Sequence, residues 1–242
     1  MICRIQVIAL LTMHPIIERA KSEARVLLTE IESKELLRQA GINIIDTKPA
    51  SSRPEAISIS KQLGFPVALK IASPDIVHKN DAGGVRLGLE TPEQVEKAYD
   101  EILTAISQKH PQARVQGVSV QGMAPQGIEV IIGMSRDAQF GPVLMFGLGG
   151  VWVEILEDTS LRIIPVTRKD AAEMIREIKG YQLLTGYRGQ APVDISKLED
   201  FLLAVSDFVE QNPIVKELDL NPVVAYTDGA IAVDARVILE DS

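Results

Sequence analysis

The chain predicts a mixed α+β fold of two lobes facing each other across a cleft, on three observations. Residues 23–120 alternate helix-period and strand-period segments. The stretch QGMAPQG at 121–127 breaks both periods with two glycines and a proline. From Ile128 onward strands dominate, with two helices between them. The expected division is an N-terminal segment over 1–22, a first lobe over 23–120, a hinge over 121–127 and a second lobe over 128–242. Ligands of such folds bind in the cleft.

The elements follow in order. EARVLLTEIESKELLRQA at 23–40 has apolar residues at near-helical spacing, and Gly41 stops it. INIID reads as a strand. Pro54–Leu63 reads as a helix ended by Gly64, and Val67–Ile71 as a strand. After a Gly-containing loop, Val85–Leu89 is a strand. Thr91-Pro92 opens a helix to about Lys109, with threonine as cap and proline in the first turn. Val115–Gln121 alternates as a strand does. In the second lobe, strands are expected at Glu129–Gly133, Val143–Phe146, Val151–Leu156 and Leu161–Pro165, with the turn Gly147–Gly150 among them. Helices are expected near Lys169–Ile178 and Ile195–Glu210. The last strands, Val215–Leu220 and Ala230–Val237, flank NPVVAYTDG.

Composition narrows the function classes. The 242 residues are 46% hydrophobic and 24% charged, with formal net charge −8, as in soluble globular proteins. A general nucleic-acid binder normally shows a basic face, which the net charge of −8 argues against. No stretch reaches the roughly 20 apolar residues of a membrane span. The N-terminal run Ile5–Met13 is interrupted by Gln6 and Thr12, and no small-residue cleavage site follows it, so it reads as an ordered segment or docking tail rather than a leader. The single cysteine, Cys3, excludes a disulfide within the chain and fits a cytoplasmic protein. His14, His110 and Cys3 lack zinc-ligand spacing.

Two segments carry candidate chemistry. VALKIASPDIVHKNDAGGVRLG at 67–88 places Lys70 at a strand end, His78 in the following loop, and the pair Gly83-Gly84 at its close. Glycines let backbone N–H groups approach an anion, lysine adds charge, and a histidine there is a nucleophile beside a phosphate. A surface lysine, a plain turn and a loop histidine are the bland alternatives. At the C-terminus, Asp228-Gly229 signals a two-residue hairpin turn. That register sets Asp219, Asn221 and Asp234 on one face, an oxygen-rich set suited to Mg²⁺, or else a solvated hairpin face. FGLGG at 146–150 lacks the Lys-Ser/Thr of a phosphate loop and reads equally as a tight hairpin. Arg162 either contacts phosphate or alternates outward from its strand.

Together these features stand in the order of one architecture. The chain resembles the ATP-grasp superfamily, and within it the β subunit of ADP-forming acyl-CoA synthetases (acetate–CoA ligase, ADP-forming), relatives of succinyl-CoA synthetase. The likeness is carried by LGFPVALKIASPDIVHKNDAGGVRLGL, QFGPVLMFGLGGVWVEILED, EMIREIKGYQLLTGYRGQAPVD, ELDLNPVV and AVDAR, and runs from about Glu23 onward. It implies an ATP-grasp fold with ATP or ADP between the lobes, Mg²⁺, and a CoA-binding α subunit in an α2β2 assembly. The implied reaction interconverts acyl-CoA, ADP and phosphate with carboxylic acid, CoA and ATP.

The resemblance also implies roles. Lys70 contacts nucleotide phosphates, helped by Gly83 and Gly84. Gln121, Gly122 and Met123 line the adenine slot, and Glu129 sits at the ribose. Asn221 and Asp234 match the Mg²⁺ ligands, and Asp219 the acidic residue two before that asparagine, a catalytic carboxylate that could orient the His78 ring. His78 matches a phosphohistidine that takes phosphate from an α-subunit histidine to ADP, on a loop (72–82) expected to swing. An imidazole nitrogen must be neutral to attack phosphorus, and the ordinary imidazole pKa of about 6.5 permits that at neutral pH. Two rival readings are a non-catalytic adenine-nucleotide sensor and a carboxylate–amine ligase. Neither requires His78. GYQLLTGYRG is prominent but has no assigned chemistry.

Overall fold

The structure is a computed structural model that describes residues 13–76, 78–150, 158–187, 189 and 191–241. Its frame is two antiparallel sheets, one of four strands and one of six. The elements are α1 (Pro15–Ser22), α2 (Glu30–Gln39), β1 (Thr47–Ala50), α3 (Arg53–Leu63), β2 (Val67–Ala72), β3 (Val85–Leu89), α4 (Pro92–Lys109) and β4 (Gly117–Gly122). Then follow β5 (Ile128–Asp137), β6 (Gly141–Leu148), β7 (Thr159–Ile163), α5 (Arg168–Glu177), α6 (Tyr181–Leu184), α7 (Ile195–Gln211), β8 (Val215–Ala225), β9 (Ala230–Ala232) and β10 (Arg236–Leu239). The expected strand Val151–Leu156 lies outside the described residues. Among those residues no helix is long and apolar enough to cross a membrane.

The four-stranded sheet has order β1-β4-β2-β3. Val67, Leu69 and Ile71 turn one face of β2 onto Ala56 and Ile59 of α3 and Val95, Ile102 and Ile106 of α4. The alternate residues, Ala68 and Lys70, share the other face with Ser119 and Gln121, their register partners on β4 in reverse order. The six-stranded sheet has order β10-β8-β5-β6-β7, with β9 on β8. Val130, Ile132, Leu144 and Phe146 bury its inner face under α5 and α7.

Three segments depart from the sequence reading. The helix expected over 23–40 begins only at Glu30. Thr29 caps it, accepting from the Glu32 N–H, while the Glu32 carboxylate accepts from the Thr29 N–H, a reciprocal box that sets the start. Val26–Leu28 runs extended along β10, with Leu27 bridged to Ile238. A separate helix, α1, precedes it, with Pro15 in its first turn. INIID is not a strand: only an isolated bridge, from Ile44 to Ala232, ties the segment to β9. The third departure concerns lobe membership. Ile17, Ala20, Leu28, Leu36 and Leu37 belong to the core of the six-stranded sheet, so the chain before β1 packs with the second sheet rather than with the first.

Candidate functional site

The register of the C-terminal strands brings the oxygen donors together. Val223 pairs with Ala232, and Asp219 with Arg236, so Asn221 stands opposite Asp234. The turn differs from the expected one: the Tyr226 N–H donates to the Gly229 carbonyl, so Thr227-Asp228 is the central pair rather than Asp228-Gly229. This shifts partners by two residues and leaves every side chain on its face. On the other edge of β8 the register slips between Val130 and Ile132, where Asn221 and Pro222 oppose Ile131 alone. Such a bulge bends the strand and re-aims a side chain, and it tolerates proline.

A cavity of about 660 Å³ lies between the two sheets. Its walls include Lys70, Gln121, Met123, Glu129, Asn221 and Asp234, and also His78 and Lys79. A second, smaller cavity of about 300 Å³ is lined by Thr29, Glu30, Asp219 and Arg236. His78, Lys79, Asn221 and Asp234 line both, so they form the partition between the two spaces. His78 is exposed.

The electrostatics centre on Glu30. Its carboxylate accepts from Lys34 and Lys70 at 2.8 Å each and from Lys79 at 2.6 Å. Burial opposes its charge, but the three ammoniums outweigh that and hold its pKa well below the usual carboxylate range. Burial brings Lys34 down to about 8, against the pull of Glu30. Lys70 is also desolvated, yet Glu30 and Asp234 hold it above the ordinary lysine value; its Nζ lies 3.1 Å from Asp234 Oδ2. Asp219 is pushed up by burial and by Asp234, against the pull of Arg236 at 3.8 Å.

Lys34 also orders Gln121 and Thr47. Its Nζ donates to Gln121 Oε1 at 2.6 Å and to Thr47 Oγ1 at 3.0 Å. An ammonium only donates, so the Gln121 amide oxygen must face Lys34. The Met123 N–H is taken by the Pro66 carbonyl and the Gly122 N–H by that of Asp46. Gly122 itself does not line either cavity. Glu129 packs against the end of β6: its carbonyl accepts from the Gly149 N–H at 2.7 Å, and a Cβ on Gly150 would lie 3.3 Å from its carboxylate.

Other sequence candidates take different places. The Gly83 and Gly84 N–H groups are spent inside the turn, donating to the Asn80 and Lys79 carbonyls, and neither glycine lines a cavity. An anion cradle built on their amides is therefore corrected. Gly84 is needed because a Cβ would come within 2.5 Å of the Ile71 side chain, and Gly83 because its φ is +76°. The loop expected to swing is tethered by Asp75 to Arg114 at 2.9 Å, by Lys79 to Glu30, and by Lys109 to the Asp81 carbonyl. Arg162 is tied to Glu177 on α5 and lines neither of the two cavities. In GYQLLTGYRG, the first residues are held by Asp158, whose carboxylate accepts from the Lys179 and Gly180 N–H groups at 2.6 and 2.7 Å.

The functional neighbours missing from the sequence reading are Glu30, Lys34, Lys79 and Arg236. Glu30 and Lys34 at i,i+4 look like a solvated helix pair. The capping box at Thr29 and Glu32 fixes where this helix starts, but no local signal says which of its faces is buried.

Among the described residues no three His, Cys, Asp or Glu side chains converge as a complete metal site. A carboxamide with one or two carboxylates is a partial oxygen shell, and Mg²⁺ completes such a shell with water and phosphate oxygens. The residues fit that ion.

Comparison with known proteins agrees with this geometry. The model of an ATP-grasp domain matches residues 19–239. The β subunit of acetate–CoA ligase [ADP-forming] I from Pyrococcus furiosus is 49% identical over 224 residues, covering 93% of this chain and 96% of that one. The corresponding isozyme II subunit is 44% identical, with 93% and 97% covered. Among solved structures, the dinucleotide-forming acetyl-coenzyme A synthetase 1 of Ca. Korarchaeum cryptofilum, in complex with coenzyme A, Ca-AMPCP and HgCl⁺, superposes with TM-score 0.90 at 46% identity, covering 93% of this chain and 98% of that one. Another structure of that enzyme, with coenzyme A and Mg-AMPPCP, has its phosphohistidine segment pointing towards the nucleotide binding site and a TM-score of 0.82 at 44% identity, with 93% and 98% covered. The chain belongs to the ATP-grasp family, among the β subunits of ADP-forming acetate–CoA ligases.

Proposed function

We propose that this chain carries phosphate between a CoA-binding α subunit and ADP, with His78 as the carrier. The observation that carries the reading is the position of His78 on the partition between the two cavities. A group there can meet a donor on one side and a nucleotide on the other. A neutral ring nitrogen of His78 attacks the phosphorus of a phosphohistidine presented by the α subunit, and the donor P–N bond breaks as the new one forms. A terminal phosphate oxygen of ADP then attacks, the P–N bond to His78 breaks, and ATP leaves. Each step runs in reverse for ATP use.

The remaining residues position and neutralise. Lys70 contacts the nucleotide phosphates and Gln121 and Met123 flank the base, with Glu129 toward the ribose. Asn221 and Asp234 would hold Mg²⁺, which would supply charge neutralisation to the phosphates when bound. Asp219 stands behind them. Gly83, Gly84 and Gly122 shape the backbone rather than touching phosphate. Residues 121–127, from the last two residues of β4 to the start of β5, act as the hinge, a reading supported by the absence of helix or strand over 123–127. The α2β2 stoichiometry belongs to the same proposal.

The test is incubation with Mg²⁺ and ATP labelled at the γ-phosphate. Acid-labile, alkali-stable label is expected on the wild-type chain, and none on His78→Ala. A wild-type chain that binds nucleotide but takes no label, with or without the α subunit, contradicts the reading and favours a non-catalytic nucleotide sensor.

A further inference from the structure

Glu30 is a buried carboxylate on which three lysines from three elements converge. Oε1 accepts from Lys34, on the same helix, and from Lys70, in β2. Oε2 accepts from Lys79, in the turn that carries His78. The side-chain exposures are 4% for Glu30, 1% for Lys34, 8% for Lys70 and 20% for Lys79, so these are not loose surface pairs. Asp234 is a second anion on Lys70. Three ammoniums meet two carboxylates in this cluster, and Asp81 and Glu129 line the larger cavity beside it. Arg236 and Asp219 add one charge of each sign.

We propose that Glu30 is a positioning residue for phosphoryl transfer: it holds Lys79 beside His78 and Lys70 on the nucleotide side, each aimed before phosphate arrives. The inference rests on the phosphohistidine reading above. Glu30 itself need not touch phosphate. A lysine has a long, freely rotating stem, and anchoring it in advance removes the reorganisation that charge stabilisation would otherwise require during transfer. The two carboxylate oxygens divide the work, since Oε1 serves Lys34 and Lys70 while Oε2 serves Lys79 alone. Replacing one oxygen with an NH₂ group turns a donor toward an ammonium, so Glu30→Gln cannot serve all three lysines.

The experiment measures single-turnover transfer of the γ-phosphate from Mg-ATP to the full chain, and separately the dissociation constant for ATP. Glu30→Gln should slow labelling at least about tenfold while changing the dissociation constant by less than about threefold. Glu30→Asp keeps the charge and should recover part of the rate. Lys79→Met should show a comparable defect, and the double variant Glu30→Gln/Lys79→Met should be no slower than the slower single one. Unfolding midpoints are recorded for each variant. If Glu30→Gln lowers only the midpoint and labels at the wild-type rate per folded molecule, the inference fails. It fails too if the two defects multiply, or if Glu30→Asp, folded, is as slow as Glu30→Gln. Absence of label on the wild type overturns the phosphohistidine reading and this inference with it.

Discussion

Glu30 and Glu32, in one helical turn, do unlike work. Glu32 is structural: its carboxylate accepts from the Thr29 N–H and hydroxyl and forks with Arg25 at 2.9 and 3.0 Å, with Arg19 at 2.9 Å beside it. Burial alone would raise its pKa, but Arg25 and Thr29 outweigh it and hold the carboxyl at about 2, against an ordinary 4.5. A pKa depressed by folding stabilises above the unfolded value and is lost as pH falls through the folded one. Glu32 therefore contributes fully above about pH 5, on the order of 3 kcal/mol, and roughly half of that near pH 3. Urea denaturation of wild type and Glu32→Gln should show a stability gap at pH 7 that narrows steadily toward pH 2. A gap independent of pH would contradict the linkage. The Glu30 cluster escapes this arithmetic because its partners are themselves desolvated and shared. That sharing also explains why the cluster was illegible in the sequence: EIESK reads as an exposed helix pair until tertiary packing buries it.

At the scale of elements, the turn from Lys79 to Gly84 decides where His78 stands. The Gly84 N–H closes on the Lys79 carbonyl at 2.7 Å, while the Gly84 carbonyl takes the Ile71 N–H at 2.7 Å. The turn is thus clamped to the end of β2. A methyl on Gly84 would meet the Ile71 side chain at 2.5 Å and the Lys79 carbonyl at 3.1 Å. Gly84→Ala is expected to destabilise by about 1–3 kcal/mol through overpacking. Gly229→Ala, where no heavy atom lies within 4 Å of the new Cβ and φ is ordinary, should stay within about 0.5 kcal/mol. Equal denaturation midpoints for the two variants would contradict the clamp. The same stretch marks what sequence conveys about elements. Helix caps such as Thr91 and apolar periods fixed α3, α4, α5 and α7 closely, because caps and periods are local chemistry. The strand INIID and the early start of α2 failed because docking onto β9 and β10 overrode local pattern. The hairpin turn was mislocated by a residue, yet the face of Asn221 and Asp234 survived, since a two-residue slip preserves side-chain parity.

For the whole molecule, the site is assembled from both sheets. Lys70 and Gln121 come from the four-stranded sheet, and Glu129 and Asn221 from the six-stranded one, with Asp234 between β9 and β10. The two cores are separate, so a ligand between them holds together parts that share little packing. The general order of these residues was legible through family likeness, whereas the partition at His78 needed the fold to be seen. A ligand that binds only the folded chain stabilises it by RT ln(1 + [L]/Kd), about 2.7 kcal/mol at a hundredfold excess over Kd. For a chain of this size that corresponds to roughly 5–10 °C in Tm. Mg-ADP should therefore raise Tm by several degrees, and EDTA should remove much of that increment. Asp234→Asn keeps the size of the side chain but weakens both the ion and the Lys70 pair. Its Tm without ligand should fall modestly, and its ADP-dependent increment should become nearly insensitive to Mg²⁺. An undiminished Mg²⁺ effect in that variant would place the metal on other residues and leave Asp234 as the partner of Lys70 alone.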